Sequence, residues 1–483
     1  MLGNQFVIRF RLWHCLPLLV FLISCSPQGE GDFQAKPDRP NVVLIVLDTT
    51  RADTLSAYGY RKPTSPSLES LAQEGALFHQ AMTTDFWTLP AHASLLTGEY
   101  PRVHQATAET NRLPRRVTTL AEFLSRAGYR TRAYVSNAWI GRDQGFGQGF
   151  ESYIETWKSS PGARNDYQFD LAGVEAAANW TQEMAERGEH FFLFLNLNSA
   201  HMPYSPEVTS LVELSPEPRP IDRTRMLRKV KGMWAYLGGA YTLSQEDFGI
   251  LEDLYTAEIL MVDRLVGQLV NSLEQQGILD ETLLIVTADH GENLGDHGMV
   301  DHLLSMFETT IRVPLIMRHP SFFPAGSQRK ELVSLIDIVP TVLHITGLED
   351  RYPEITARSL AHPNPIVREF VIAENDRPMN GINLMQKSYP EFDIEKIDRR
   401  MQMLRTDQHK LIQYDDGQFQ VYDLAADPTE LDDLSDSDAE LASRLVGMLE
   451  EWNSLQETVA PPPSLDVTDP ELREQLKALG YLE

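Results

Sequence analysis

NVVLIVLD, Asn41 to Asp48, is almost wholly apolar, contains several β-branched residues and stops abruptly at a carboxylate. An apolar run this short and this continuous reads as a strand buried on both faces, the kind found in a parallel sheet covered by helices. The same texture returns in FFLFLNLN (Phe191 to Asn198) and TLLIVTAD (Thr282 to Asp289), with shorter stretches at Tyr129 to Val135 and Arg312 to Arg318. Helical periods lie between them. Pro66 to Gly75 and Thr118 to Gly128 each end in a glycine placed as a C-cap. Gln245 to Gln276 carries Ile250, Leu254, Ile259, Val262, Val266, Leu269 and Leu273 on one face. Strands alternating with helices predict an α/β fold, a mostly parallel central sheet sandwiched by helices. Such sheets bind ligands at the carboxyl ends of their strands, and Asp48, the Asn198 to His201 loop and Asp289 all reach that edge.

Outside this core the texture changes. From about Arg368 to Asp427, short strands at Arg399 to Leu404, Lys410 to Tyr414 and Gln418 to Tyr422 predict a smaller antiparallel subdomain, α+β in class, spanning 365–455. The acidic stretch Asp427 to Glu440 reads as a solvated surface loop. Pro461 to Pro463 marks a stiff linker within a tail of 456–483. At the other end, Arg9 and Arg11 precede an apolar run, Leu16 to Ile23, too short to span a bilayer and suited to a secretory leader. Leu22-Ile23-Ser24-Cys25 resembles a bacterial lipobox, which predicts a signal peptide over 1–24, a lipid on Cys25 that attaches the protein to a membrane of the bacterial envelope, and a flexible tether over 25–39. With only Cys15 and Cys25 in the chain, and Cys15 in the leader, the mature protein has no disulfide framework.

The 483 residues are 42% hydrophobic and 23% charged, a globular balance that argues against wholesale disorder. A net charge of −27, from 69 acidic against 42 basic side chains, repels a phosphate backbone and excludes nucleic acid as the expected partner. An anionic ester substrate then needs a locally positive site, which a bound cation supplies.

Three stretches carry the chemistry. TADHGENLGDHG, Thr287 to Gly298, ends a strand in adjacent Asp289 and His290, one carboxylate and one imidazole at the same edge. FWTLPAHASLLTGEYPRVH, Phe86 to His104, sets Thr88 before a helix expected to start near Ala91, either as an N-cap or beside an anion held by free helix amides. NSAHMPYSP, Asn198 to Pro206, places His201 after a core strand. With LDTTRADTLSAYGY (Leu47 to Tyr60), and LRTDQHKLI and VYDLAADPTE near the end, these stretches resemble the sulfatase family of the alkaline phosphatase superfamily, in the family's order, over about residues 40 to 430.

The resemblance implies an alkaline-phosphatase-like catalytic domain over 40–350 and one divalent cation held by Asp48, Thr88, Asp289 and His290. A mixed oxygen and nitrogen set suits manganese or zinc at least as well as calcium. It also implies His201 and His302 as proton donors to the leaving group. Two departures fall at the family's chemical centre: Thr88 replaces the formylglycine precursor and His92 the arginine of the Cys-x-Pro-x-Arg core. Thr49 replaces a second acidic ligand. Oxidation of a threonine would give a ketone, so the hydrated aldehyde is out of reach, whereas a metal-bound Thr88 alkoxide can attack in line. Ser136 and Asn137 stand where the family often has a lysine and a histidine. His297 is either a further ligand or a loop residue, and Arg51 an ion-pair partner. The resulting expectation is a hydrolase of sulfate or phosphate esters of a glycan, lipid or small molecule. A transferase to a lipid or glycan, and an inactive glycan-binding protein, are the rivals.

Overall fold

The computed structural model describes residues 39 to 483, apart from 161–162, 164, 216–218, 228–232, 352–357, 363–366, 456–458, 460, 462–469 and 479–483. The leader, Cys25, the tether up to residue 38, and Pro462 and Pro463 of the linker lie outside the described residues.

Among the described residues, eleven strands precede residue 335: β1 Asn41–Leu47, β2 Ala76–Met82, β3 Arg130–Val135, β4 Ser152–Glu155, β5 Phe191–Leu197, β6 Thr282–Thr287, β7 Asn293–Leu294, β8 Val300–Asp301, β9 Arg312–Val313, β10 Leu315–Arg318 and β11 Ser327–Ser334. They build a nine-stranded sheet in the order β11-β2-β10-β6-β1-β5-β3-β4, with β9 against β2, while β7 and β8 pair separately. At its centre β1 runs parallel to β5 and β6, Val43 facing Leu193 on one side and Leu284 on the other.

Alternation along β1 explains why its sequence is continuously apolar. Val42, Leu44 and Val46 enter one core with Phe192, Phe194, Leu283 and Ile285. Val43, Ile45 and Leu47 enter the opposite core with Leu193, Leu284 and the helix Gln245–Gln275, through Leu254, Val262, Val266 and Leu269. Side chains of successive strand residues point to opposite faces, and both faces here are covered. Ser244 and Asp247 form a capping box that starts this helix.

Arg312 to Arg318 departs from a single strand. It breaks at Pro314 into β9 and β10, and β10 runs antiparallel to both β6 and β2. Proline has no N–H to donate to a ladder, and the Pro314 carbonyl instead accepts from Thr287 Oγ1 at 2.7 Å. Gly75, expected as a left-handed cap for α1 (Pro66–Glu74), has φ −140°. Its glycine serves a close approach, since a Cβ there would lie 2.4 Å from the Met317 carbonyl oxygen. Gly128 has the expected positive φ, +88°.

The four-stranded antiparallel sheet beyond residue 369 comprises β12 Phe370–Asn375, β13 Met401–Thr406, β14 His409–Tyr414 and β15 Phe419–Asp423. Leu441, Leu445, Leu449 and Trp452 of the helix Ala439–Leu455 pack on its Ile372, Leu404, Leu411 and Val421. The acidic stretch after Asp427 is only partly solvated. Glu430 is 2% exposed and lies 2.8 Å from Nζ of Lys410, a fully buried lysine that also meets Glu308 at 2.8 Å. Lys410 Nζ donates to the Met306 carbonyl, so this charge cluster ties the small sheet to the loop that follows His302. Among the described residues, no helix is long and apolar enough to cross a membrane.

Candidate active site

The carboxyl ends of β1, β5 and β6 converge, and α2 (Thr88–Thr97) starts against them. The helix begins at Thr88 itself, three residues earlier than Ala91, with extended Trp87 as its N-cap and no side-chain cap. Pro90 fits inside the first turn because the amides there have no intrahelical acceptor anyway. Thr88 is therefore no capping residue. Its Oγ1 lies 3.2 Å from His290 Nε2 and accepts from Asn137 Nδ2 at 3.5 Å.

Asp48, Asp289 and His290 each offer a donor atom, all within 4.8 Å of one another, and all three residues are fully buried. The Nδ1–H of His290 donates to the Gly291 carbonyl at 3.0 Å, which turns the Nε2 lone pair into the cluster, the tautomer a metal ligand requires. Asp48 Oδ2 accepts from Asn137 at 2.9 Å and Asn196 at 3.1 Å, and Asp289 Oδ1 accepts from the Thr49 amide at 3.3 Å. Asp48 Oδ1 is buried without a hydrogen-bond partner, and Asp289 Oδ2 meets the imidazoles of His92 at 3.3 Å and His290 at 3.2 Å without a hydrogen bond to either. Buried carboxylate oxygens of that kind are costly unless paired or ligating, so the donor set fits a divalent cation, with Thr88 Oγ within reach as a fourth ligand.

The charges agree. Burial, and then the neighbouring Asp289, push Asp48 up to about 8. Burial would also raise Asp289, but His290 and His92 outweigh it and hold Asp289 below the ordinary carboxylate range. One proton thus stays on the pair where a cation would otherwise neutralise it. His92 donates through Nδ1–H to the Thr88 carbonyl at 2.9 Å and stands 3.3 Å from Asp289 Oδ2. Burial lowers its pKa, yet Asp289 and Asp48 bring it above the ordinary histidine value. His92 thus sets an imidazole under the first turn of α2, with Asn196 Nδ2 3.4 Å from its Nε2.

His302 stacks on this cluster, its ring centroid 4.3 Å from that of His290 and 5.1 Å from that of His201. Its Nδ1 lies 2.8 Å from Asp301 and 3.5 Å from Glu292. Against the penalty of burial, these two carboxylates raise His302 well above the usual value. His201 goes the other way. Burial and the charge of His302 lower it to about 4, and its Nδ1–H donates to the Met202 carbonyl at 2.6 Å, which makes Nε2 an acceptor. His297 belongs to neither group: its ring stacks on Phe307 at 3.6 Å, so it is a loop residue. Arg51 pairs with Asp53 at 2.7 Å and Asp296 at 2.6 Å, as an ion-pair partner should.

Sequence reasoning passed over the residues that hold these groups. Asn196 fixes Asp48 and, through Oδ1, accepts from the Ser136 and Asn137 amides at 3.3 and 3.0 Å. A polar residue inside the apolar run FFLFLNLN was the signal for it. Asp170 accepts from the amides of Asn198 and Ser199, and Asp166 from Asn198 Nδ2 at 3.1 Å; neither had a local signature.

The sulfatase family model matches residues 40–348, and a second model, N-sulphoglucosamine sulphohydrolase, C-terminal, matches 295–456. The chain is 26% identical to arylsulfatase K of Bos taurus, over 86% of this chain and 82% of the relative. It is 25% identical to N-acetylglucosamine-6-O-sulfatase of Bacteroides thetaiotaomicron, over 87% and 86% of the two chains. Among solved structures, one in complex with its substrate D-glucosamine-2-N,6-O-disulfate superposes with a TM-score of 0.67 at 20% identity, covering 86% of this chain and 98% of the other. The phosphonate monoester hydrolase of Agrobacterium radiobacter follows at 0.66 and 22%, covering 86% and 95%. A sulfatase family model spans residues 40–348, more than half of the chain, and this chain belongs to the sulfatase family.

Proposed function

We propose that this sulfatase-family hydrolase cleaves sulfate or phosphate esters by double displacement, with Thr88 Oγ as nucleophile and His302 as proton donor. The observation that carries the reading is the position of Thr88: the first residue of α2, free of capping duty, with Oγ1 3.2 Å from His290 Nε2. When bound at Asp48, Asp289, His290 and Thr88, a divalent cation of the manganese, zinc or calcium kind supplies Lewis-acid chemistry and favours the ionised hydroxyl. In the first step Thr88 Oγ, its proton already lost to solvent, bonds to phosphorus or sulfur while the ester oxygen departs, taking a proton from charged His302. In the second, water attacks the group on Thr88 and gives up a proton, the Thr88 oxygen leaves in its ionised form, free phosphate or sulfate departs, and His302 takes a proton from solvent. Neutral His201, whose Nε2 carries no proton, is the candidate to receive the proton of the attacking water. His92 holds the first turn of α2 against Asp289.

Relatives named for sulfated sugars support an anionic sugar ester as substrate, and a phosphonate ester hydrolase of the same fold supports phosphorus esters. A lipid on Cys25, suggested by the Leu-Ile-Ser-Cys tetrad, would keep the enzyme at a membrane surface in the envelope. The test is to mix enzyme with aryl sulfate and aryl phosphate esters, quench in acid during turnover, and map modified peptides. A phosphoryl or sulfuryl group on Thr88 is expected. Turnover of a chiral phosphate ester with inversion, the mark of direct attack by water, would sink the reading.

A further inference from the structure

A second set of metal-type donors lies outside the catalytic cluster, on the segment after β11. His344 sits in the last turn of the helix Ile338–Ile345, and Glu349 opens the short turn Glu349–Arg351. His362 follows an arm anchored to the same helix, where the Leu360 amide donates to Thr341 Oγ1 at 2.8 Å. His344 Nδ1 lies 2.5 Å from Glu349 Oε2, and the rings of His344 and His362 meet at 4.1 Å between centroids, tilted by 62°. One donor atom from each of the three residues lies within 4.8 Å of the others. The side chains of His344 and Glu349 are 19% and 36% exposed, open enough to admit an ion and its water.

We propose that His344, Glu349 and His362 form a zinc site distinct from the catalytic one. Two imidazole nitrogens and one carboxylate oxygen are the ligands of a borderline ion, while calcium and magnesium take oxygen. Three protein donors leave a fourth, tetrahedral position for water. Zinc with bonds of about 2.0 to 2.2 Å holds its donors roughly 3.3 Å apart, between the hydrogen-bonded and the widest separations here. Binding therefore asks for side-chain shifts of about an ångström.

The ion clamps the end of the helix Ile338–Ile345 to the arm Ser359–His362. That helix backs α2, for a Cβ on Gly98 at the end of α2 would lie 3.2 Å from Val339 Cβ. The clamp thus acts on the stability of the scaffold behind the nucleophile, without touching the reacting groups.

The full chain, its Glu349→Gln form and its His362→Ala form are dialysed against one fixed concentration of free zinc, and bound zinc per chain is counted by elemental analysis. The wild type is expected to hold one zinc more than either variant. Cobalt(II) substitution should give visible ligand-field bands in the wild-type minus variant difference spectrum. Equal zinc in all three proteins would overturn the site and leave a hydrogen-bonded triad. If His362→Ala fails to fold, the near-isosteric Glu349→Gln decides. Failure of the catalytic metal reading would lower zinc equally in all three and leave the difference of one intact.

Discussion

Cation affinity at the catalytic cluster should rise steeply with pH. In chelator-treated protein the carboxylate pair holds a proton, because burial and Asp289 push Asp48 up to about 8. Proton and cation then compete for the same carboxylate. The apparent dissociation constant scales with one plus the ratio of protonated to ionised Asp48, so between pH 6 and pH 8 it should fall about 50-fold, or about 2 kcal/mol, and level off above. His290 titrates near 3, held down by burial, and adds nothing in this window. His92, raised by Asp289 against the penalty of burial, can only steepen the dependence, since a cation nearby favours its neutral form. Calorimetric titration of chelator-treated protein with manganese, at pH 6.5 in two buffers of different ionisation enthalpy, reads the protons released, and at least about one per ion is expected. Asp48→Asn should bind more weakly and lose most of the pH dependence. Affinity that is flat from pH 6 to pH 8, with no proton release, would mean that both carboxylates are already ionised and would refute the reasoning.

Lys410→Met should destabilise the fold by about 3 to 5 kcal/mol, because Glu308 and Glu430 lose a buried partner at 2.8 Å; urea unfolding with an unchanged midpoint would count against it. His302→Gln should slow turnover by roughly 10²- to 10⁴-fold on esters with poor leaving groups and far less on those with good ones, whereas an equal loss on both would remove His302 as proton donor. Cys25→Ala should shift the protein from the membrane to the soluble fraction of envelope preparations, and unchanged membrane recovery would end the lipid-anchor reading.

The centre of the sheet was legible because β1, β5 and β6 are buried on both faces and leave uninterrupted apolar runs. The carboxylates that end them were legible for the same reason, since polarity begins where the strand stops. What escaped was set by tertiary contact. The start of α2 at Thr88 was masked by Pro90, which can occupy any position of a first turn. β12, an FVIAEN stretch whose ladder partner β13 lies some way downstream, carried no turn signal of its own. Glu430 looked like one more acid in an acidic stretch, and only the fold brings it to Lys410. Glu292 and Asp301 were passed over although they flank named motif residues, because their effect is on the charge of His302. The tautomer of His290 and the opposite charges of His201 and His302 depend on carbonyls and carboxylates that no spacing reveals.

Thr88 carries the central claim, and its replacement tests that claim most directly. With metal content per chain checked in each protein, kcat on a good aryl ester is compared for wild type, Thr88→Ser and Thr88→Ala. The account predicts that Thr88→Ser keeps a measurable part of the activity and that Thr88→Ala loses at least roughly 10³-fold, the scale expected when a nucleophile is removed. Near wild-type turnover by metal-replete Thr88→Ala would contradict it and assign the attack to water.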